Sequence, residues 1–238
     1  MHVSETEVLS LEGVGSVNGV PAAYFVLRHG TAVVVSDLHA EGGLLAAGCL
    51  RRLIAAVDPD LVVVAGDAFD ALERYEFSEP MARYLAGLLG ASPSLREVLV
   101  TLSAGPHDPK IGGPYRRFRA GGVAVTAVGG VAVIRAGGLH VAVLHGDQLL
   151  RSGVLAALLN LAMGRGFYES LARRRLGIGP GPLVVMGHTH LPLFDAGRGL
   201  ANTGSWSWRP LIGRPAAALV VSAPGAGGAS ARMLRVRC

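Results

Sequence analysis

Short apolar runs recur along the chain at the length of buried β-strands. They are four to seven residues long, rich in valine and bounded by Gly, Pro or Asp, which is typical of strands. Because they are apolar throughout rather than alternating, they favour strands covered on both faces, as in layered α/β proteins. In chain order, the runs are YFVL (24–27), AVVVS (32–36), LVVVAG (61–66), VLVTLS (98–103), VAVIRA (131–136), HVAVLHG (140–146), LVVMG (183–187) and AALVVSA (217–223).

Helical periodicity separates several of these runs. Residues Gly43–Val57 carry apolar side chains at helical spacing and predict a helix. A second helix is predicted after Ser78, an N-cap candidate, with Pro80 near its first turn. Residues 148–176 predict one or two helices broken at the glycines of 164–166.

The order of these elements predicts one α/β domain over residues 1–238. The first half follows a β-α-β-α-β pattern, and the later half predicts either an α+β ending or a second sheet. Residues 148–180 are the best candidate for a helical cap inserted into that domain. The glycine-rich stretch 223–230 predicts a turn between the last two strands.

Composition and charge narrow the classes of protein and partner. Half of the 238 residues are hydrophobic and 16% are charged, which provides a substantial core. The net charge of +5 and the pI near 9.8 favour anionic partners: phosphates, nucleic acid or acidic lipid head groups. No apolar run is long enough to span a bilayer, and the N-terminal residues lack the apolar region of a signal peptide.

The two cysteines, Cys49 and Cys238, predict reduced thiols rather than a disulfide framework. This predicts a cytoplasmic protein, with peripheral attachment to a membrane left open. The sequence leaves the oligomeric state open as well, a homodimer included.

Acids and histidines follow five of the predicted strands. In open α/β sheets, ligands gather at the carboxyl ends of the strands, and buried charges are expensive unless they are paired or bound to metal. Any single ending of this kind could have an ordinary structural explanation, such as an aspartate that caps a helix beside a surface histidine. Five endings together predict a shared metal site built from Asp37 and His39, Asp67 and Asp70, His107 and Asp108, His145 and Asp147, and His188 and His190.

The ordered set Asp-x-His, Gly-Asp-x-x-Asp, Gly-x-His-Asp, His-Gly-Asp and Gly-His-x-His resembles the calcineurin-like metallophosphoesterase superfamily. The resemblance covers most of the chain, from Asp37 to the segment Asn202–Trp206. It implies a four-layer α/β/β/α metallophosphoesterase sandwich with a helical insertion and a dinuclear metal site. The style of the motifs LHGDQLL and GHTHLP is closest to the UDP-2,3-diacylglucosamine pyrophosphatase-like branch.

The same resemblance implies a set of metal ligands. Asp37, His39 and His190 would bind one ion, Asp67 would bridge both ions, and His145 and His188 would bind the other. Mixed carboxylate and imidazole ligands suit Mn, Fe, Zn or Ni. A hydroxide bridging the two ions would then attack phosphorus and hydrolyse a phosphoester or pyrophosphate bond.

Four further residues receive roles from the resemblance. His107 would be the general acid at the leaving oxygen, and Asp108 would orient its ring. Asp70 would hold a metal ligand or its loop. Asp147 would do the same, or would face the substrate.

The third motif departs from the family pattern. It contains Pro106 where the family has an asparagine whose side-chain oxygen binds the second ion, and proline offers neither that oxygen nor an N–H group. Water or a carbonyl could fill the gap, the second ion could bind weakly, or the protein could hold one ion only. We expect an active or weakly active enzyme. The alternative is a catalytically weakened scaffold, a role that the same fold has in the retromer's metallophosphoesterase-like subunit.

Three segments bear on the substrate. The apolar part of residues 148–179 and the basic run Arg173–Gly177 predict either a cap that binds an acyl or isoprenoid chain or a helix pair packed on the sandwich. Trp206 and Arg209 are candidates for substrate binding, with packing at the edge of the sandwich as the alternative. Tyr115–Gly122 predicts a basic loop that faces phosphate or solvent. The expected partners are a phosphorylated small molecule, a nucleotide or a lipid head group, with nucleic acid as a further alternative.

Overall fold

Two β-sheets packed face to face form the centre of the fold. The computed structural model describes residues 9–42, 44–208, 216–223 and 228–238. In these ranges the strands are β1 (Leu9–Val17), β2 (Val20–Leu27), β3 (Gly30–Val35), β4 (Leu61–Ala65), β5 (Glu97–Thr101), β6 (Tyr115–Ala120), β7 (Val123–Val128), β8 (Val131–Ala136), β9 (Leu139–Val143), β10 (Leu183–Met186), β11 (Leu193–Asp195), β12 (Leu200–Asn202), β13 (Ala217–Ala223) and β14 (Ser230–Arg235). The helices are α1 (Ala47–Val57), α2 (Glu79–Leu89), α3 (Gly153–Met163) and α4 (Phe167–Arg175).

The first sheet has the strand order β14-β13-β3-β4-β5-β7-β6. Its central strands β3, β4, β5 and β7 are parallel, and antiparallel strands complete both edges. The second sheet has the order β1-β2-β8-β9-β10-β12-β11, with β9, β10 and β12 parallel. The carboxyl ends of β3, β4, β5, β9 and β10 are the five endings at which the sequence places acids and histidines.

Three apolar cores separate four layers. Strand residues such as Val34, Val63 and Val143 fill the space between the two sheets. Helices α1 and α2 cover the outer face of the first sheet, and α3 and α4 cover the outer face of the second. The predicted four-layer α/β/β/α arrangement is therefore confirmed. Full burial of each such Val or Leu side chain contributes about 1.5–3 kcal/mol.

Most predicted elements are present. All eight apolar runs form strands, and residues 148–176 form two helices that break at Gly164 and Gly166, both with positive φ. Helix α1 begins at Ala47 rather than at Gly43, which lies outside the described residues. Ser78 occupies the N-cap of α2, although its side chain makes no capping hydrogen bond, and a proline lies in the first turn. Of the predicted turn at 223–230, residues 224–227 lie outside the described ranges.

The basic segment that begins at Tyr115 was wrongly expected to be a loop. It forms the edge strand β6, antiparallel to β7, and its residues alternate between exposed and half-buried. Arg116 donates a hydrogen bond to Glu76, and Arg117 donates one to Glu97. These arginines therefore contact acids of the protein itself, and the alternation of polar and apolar residues was the signal of an edge strand.

The expectation of two reduced thiols was also wrong. Cys49 on α1 and Cys238 form a disulfide, with their Cα atoms 5.7 Å apart. Because β14 pairs with β13, which itself pairs with β3, the last residues of the described chain reach α1. A separation of 189 residues conceals this proximity in the sequence.

Among the helices that the structure describes, none has both the length and the apolar character needed to cross a membrane.

Candidate metal centre

The six predicted metal ligands converge where the two sheets meet. Asp37, His39 and Asp67 follow β3 and β4 of the first sheet, and the three histidines follow β9 and β10 of the second. Ligand atoms of Asp37, His39 and His190 lie within 4.8 Å of one another, and so do those of Asp37, Asp67 and His145. Residues distant in sequence are thus brought to one centre. The candidate ligands, in chain order, are Asp37, His39, Asp67, His145, His188 and His190.

Most of these residues adopt a strained backbone. Five of them have φ between 44 and 66°: Asp37, His39, Asp67, His188 and His190. The left-handed region costs non-glycine residues about 1–3 kcal/mol each, and such strain clusters at functional sites. Backbone hydrogen bonds hold the conformation, with the Asp37 N–H donating to Gly66 and the His39 N–H donating to the Asp67 carbonyl.

Two glycines make room for the ligands. A Cβ atom on Gly66, which has φ +73°, would collide with the ring of His145. A Cβ on Gly187 would collide with the Asp37 carboxylate and with Ser36. Glycine at these positions therefore lets ligands from the two sheets approach closely.

Asp37 and His190 form the first half of the centre. His190 Nε2 lies 2.9 Å from Asp37 Oδ1, and both Asp37 oxygens accept the His188 backbone N–H at 3.1–3.2 Å. Burial opposes ionisation of Asp37, but the charge and hydrogen bond of His190, together with the charge of His145, outweigh it and lower the pKa of the carboxyl. Asp37 is therefore an anion fixed in position on the floor of the site.

His145 and His188 form the second half, and their rings point nitrogens at each other. His145 Nδ1 lies 3.2 Å from the Ala65 carbonyl, and His188 Nε2 lies 2.7 Å from the Leu150 carbonyl. A carbonyl oxygen only accepts hydrogen bonds, so the protons are assigned to His145 Nδ1 and His188 Nε2. The remaining nitrogens, His145 Nε2 and His188 Nδ1, are then lone-pair donors 3.2 Å apart.

This facing pair requires either a proton or a cation between its members. Burial and the charge of His145 lower the pKa of His188 to about 4, so His188 is neutral at pH 7. Burial also opposes protonation of His145, but the charge and hydrogen bond of Asp67, together with the charges of Asp37 and Asp147, outweigh it and raise the pKa of His145. Two nitrogens each about 2.1 Å from one transition ion would lie about 3–3.4 Å apart, so the observed spacing fits a metal that replaces the proton.

Asp67 lies between the two halves. Its Oδ2 is 3.5 Å from His39 Nε2 and 3.4 Å from His145 Nε2. Its Oδ1 is buried without a hydrogen-bond partner among the described residues, an expensive arrangement for a charged oxygen. A cation at this position would satisfy that oxygen, and the mixed carboxylate and imidazole donors suit a transition ion.

His107 lines the site, but its carboxylate partner differs from the expected one. His107 Nδ1 lies 2.8 Å from Asp70 Oδ1, and the same oxygen is 3.4 Å from His39 Nδ1. The Asp108 carboxylate instead accepts three backbone N–H groups, those of Asp67, Phe69 and Ser103. The expected contact between Asp108 and the His107 ring is therefore wrong, because Asp108 turns inward to secure the Asp67 loop.

Burial and the nearby charge of Asp67 raise the pKa of Asp108 to about 7. The three N–H donors act in the opposite direction, because they favour the ionised carboxylate.

The two substrate-binding candidates after the last motif have different outcomes. Trp206 is fully buried, and its Nε1 donates to the Ala217 carbonyl at 3.1 Å. It packs in the core beside α1, so its expected contact with substrate is wrong. Arg209 lies outside the described residues.

The basic run of α4 lies outside the lining of the site. Arg173 is buried and donates to five main-chain carbonyls, including those of Arg198 and Pro182. Arg174 and Arg175 are exposed. Arg173 thus ties the end of α4 to neighbouring loops, which a run of three arginines does not reveal.

A buried polar network that the sequence did not indicate supports the His188–His190 loop. Asn202 Nδ2 donates to the Gly187 carbonyl at 2.7 Å and to Glu169 and Thr189 at 2.9 Å. Glu169, fully buried on α4, also accepts from Asn160 of α3. The sequence offered only one hint of this network: Glu169 is the single acid among the residues that form α4.

The centre opens into a cavity of about 500 Å³. Candidate metal ligands line one end, and the apolar face of α3 forms another wall. The lining residues are His39, Asp67, Gly105, Pro106, His107, His145, Asp147, Arg151, Gly153, Val154, Ala157, Leu158, Leu161, His188, Thr189, His190 and Leu191.

Solved structures resemble this chain at low sequence identity. No curated protein matches the chain. One similar solved structure is a conserved uncharacterized protein of Streptococcus pneumoniae TIGR4, a predicted phosphoesterase, with 15% identity, a TM-score of 0.41, and coverage of 86% of this chain and 98% of that one. Another is Yfce, a phosphoesterase from E. coli, with 15% identity, a TM-score of 0.40, and coverage of 87% and 100%.

The family itself is shown by the sequence. Residues 31–222 match the domain model of the calcineurin-like phosphoesterase superfamily, a range that contains all six candidate ligands. The chain therefore belongs to the calcineurin-like phosphoesterase superfamily.

Proposed function

We propose that the protein hydrolyses a phosphoester or pyrophosphate bond with two divalent transition ions, drawn from Mn, Fe, Zn or Ni. Asp37, His39 and His190 would hold one ion, His145 and His188 the other, and Asp67 both. The observation that carries the proposal is the facing pair His145 Nε2 and His188 Nδ1, 3.2 Å apart beside the Asp67 carboxylate. When bound, such ions supply charge neutralisation at the phosphoryl group and a water that is nucleophilic at neutral pH.

The side chains of the protein supply the proton transfer. Asp70 accepts a hydrogen bond from Nδ1–H of His107, so when the ring is protonated on both nitrogens, the Nε2 proton is the one that passes to the leaving oxygen. Asp70 is a positioning residue in this scheme, because it fixes the tautomer and the orientation of the ring. The ring of His107 lies edge-to-face against that of His39, with centroids 4.7 Å apart, which places the acid beside the ligands.

Hydrolysis of bis(p-nitrophenyl) phosphate and p-nitrophenyl phosphate tests the function. We expect chelator-treated protein to be inactive and to regain turnover when at least one of Mn²⁺, Fe²⁺, Zn²⁺ or Ni²⁺ is added. We expect His188→Ala to lower kcat/KM on the order of 10²-fold or more, because a nitrogen of the facing pair is lost.

The matched control is His140→Ala, at an exposed position on β9, which should keep wild-type turnover. If wild type and His188→Ala were equally inert with every ion, the fold would serve binding rather than turnover, as the proline at position 106 would allow.

The cavity also bears on the substrate class. Helix α3 carries large apolar side chains that are 53–70% exposed: Val154, Leu155, Leu158, Leu161 and Met163. Three of them, Val154, Leu158 and Leu161, line the same cavity as the metal ligands. A contiguous exposed apolar surface of this kind marks a binding site. Because one end of the cavity suits phosphate and one wall suits hydrocarbon, we propose a substrate that joins the two, namely a phosphoester that carries an alkyl or acyl chain.

Esters of graded chain length test this substrate class. We expect kcat/KM for p-nitrophenyl alkyl phosphodiesters to rise at least about 10-fold from methyl to octyl, since each buried CH₂ contributes about 0.8 kcal/mol. Leu158→Ser should flatten that rise. Leu171→Ser, on α4 and away from the cavity lining, should retain it. Equal kcat/KM at every chain length, measured below micelle formation, would rule out the apolar subsite.

A further inference from the structure

Asp147 is a buried carboxylate without a partner. It follows β9, two residues after His145, and is only 5% exposed. Neither of its carboxylate oxygens has a hydrogen-bond partner among the described residues. Leaving an ionised carboxylate in that state is costly, and a bound cation would offset this cost.

The surroundings of Asp147 indicate where such a cation would lie. Its negative charge acts on both His145 and His188, and it lines the same cavity as their rings. A Cβ atom on Gly105 would lie 3.6 Å from Asp147 Oδ2, so the carboxylate faces the loop that contains Pro106. A cation bound by the two histidines would therefore lie near Asp147.

The ligands proposed for the second ion leave it at least one coordination position to fill. Asp67, His145 and His188 offer three donors, whereas transition ions in proteins take four or more. Pro106, in the loop across the cavity, has no side-chain donor and no N–H group. We infer that Asp147 supplies an oxygen ligand to the second ion and so completes the site beside Pro106. This inference rests on the proposed function, since it requires that the second ion binds.

Metal content and thermal stability test the inference without an activity assay. After metal loading and dialysis, mass spectrometry should find two ions per chain in the wild type and one in Asp147→Ala. The Tm of metal-free wild type and of metal-free Asp147→Ala provides the reference for the effect of added metal. Added Zn²⁺ or Mn²⁺ should then raise the Tm of Asp147→Ala less than it raises that of wild type.

The variants separate the possible results. Asp195→Ala, at a partly exposed carboxylate outside the cavity lining, should keep two ions. Asp147→Asn preserves the shape of the side chain and should bind the second ion at least about 10-fold more weakly than wild type. This variant provides the test if Asp147→Ala does not fold. Two ions bound with unchanged affinity by both Asp147 variants would overturn this inference alone. A wild type that binds no ion would overturn it together with the proposed function.

Discussion

Replacement of Asp67 by asparagine should reduce kcat/KM for bis(p-nitrophenyl) phosphate by at least about 10³-fold. Asparagine preserves the shape of the side chain and removes its charge. The lost carboxylate is the group that lies within 3.5 Å of both His39 and His145. Ions held there supply several kcal/mol of transition-state stabilisation, and several kcal/mol corresponds to about three orders of magnitude in rate.

A matched substitution distinguishes loss of charge at the centre from a general effect of asparagine. Asp195→Asn alters a partly exposed carboxylate that pairs with Arg198 outside the cavity, and it should retain turnover. Circular dichroism should show both variants folded, because the Asp67 backbone N–H still donates to Asp108. Turnover by Asp67→Asn within tenfold of wild type, at saturating metal, would mean that this carboxylate does not organise the reaction.

Replacement of His107 by alanine should have the second-largest effect, and its size should depend on the leaving group. General acid catalysis contributes about 10²–10⁴-fold, and it matters most when the departing oxygen is a strong base. We therefore expect a loss of at least about 10²-fold for an alkyl ester and a much smaller loss for a p-nitrophenyl ester, whose leaving group departs without a proton.

The measurement is a plot of log kcat against leaving-group pKa for wild type and variant. The slope should be steeper for His107→Ala. Asp70→Asn should shift it in the same direction but by less, because the ring of His107 would remain in place without its anionic partner. Parallel lines for wild type and His107→Ala would show that His107 transfers no proton to the leaving group.

The strand endings explain how much of the site was predictable. Asp37, Asp67 and His188 each follow a continuous apolar run, and parallel strands with short endings bring such residues together whatever their distance in sequence. The layer order follows from the same runs, since strands apolar on both faces need a cover on each side. Element order and endings therefore indicated the layers of the fold and the residues that the structure brings together, whereas the assignment of metal ligands among them came from the family resemblance and stays a prediction.

Side-chain direction was not predictable in the same way. Asp108 is adjacent to His107 in sequence, yet it turns to three backbone N–H groups, while Asp70 contacts the ring. Trp206 and the Cys49–Cys238 disulfide depend likewise on how distant segments pack. These contacts are set by loop conformation and tertiary packing, for which neighbouring residues in a single sequence carry little signal.

The division of the ligands between two sheets has a consequence for the integrity of the centre. Asp37 and Asp67 belong to one sheet, and His145 and His188 belong to the other. The apolar interior between the sheets keeps these donors in register, together with the hydrogen bonds that His188 N–H makes to Asp37 and that His145 Nδ1 makes to the Ala65 carbonyl. The affinity of this protein for metal should therefore depend on how tightly the two sheets pack against each other. A substitution in the apolar interior between them is expected to lower that affinity even though it changes no donor atom.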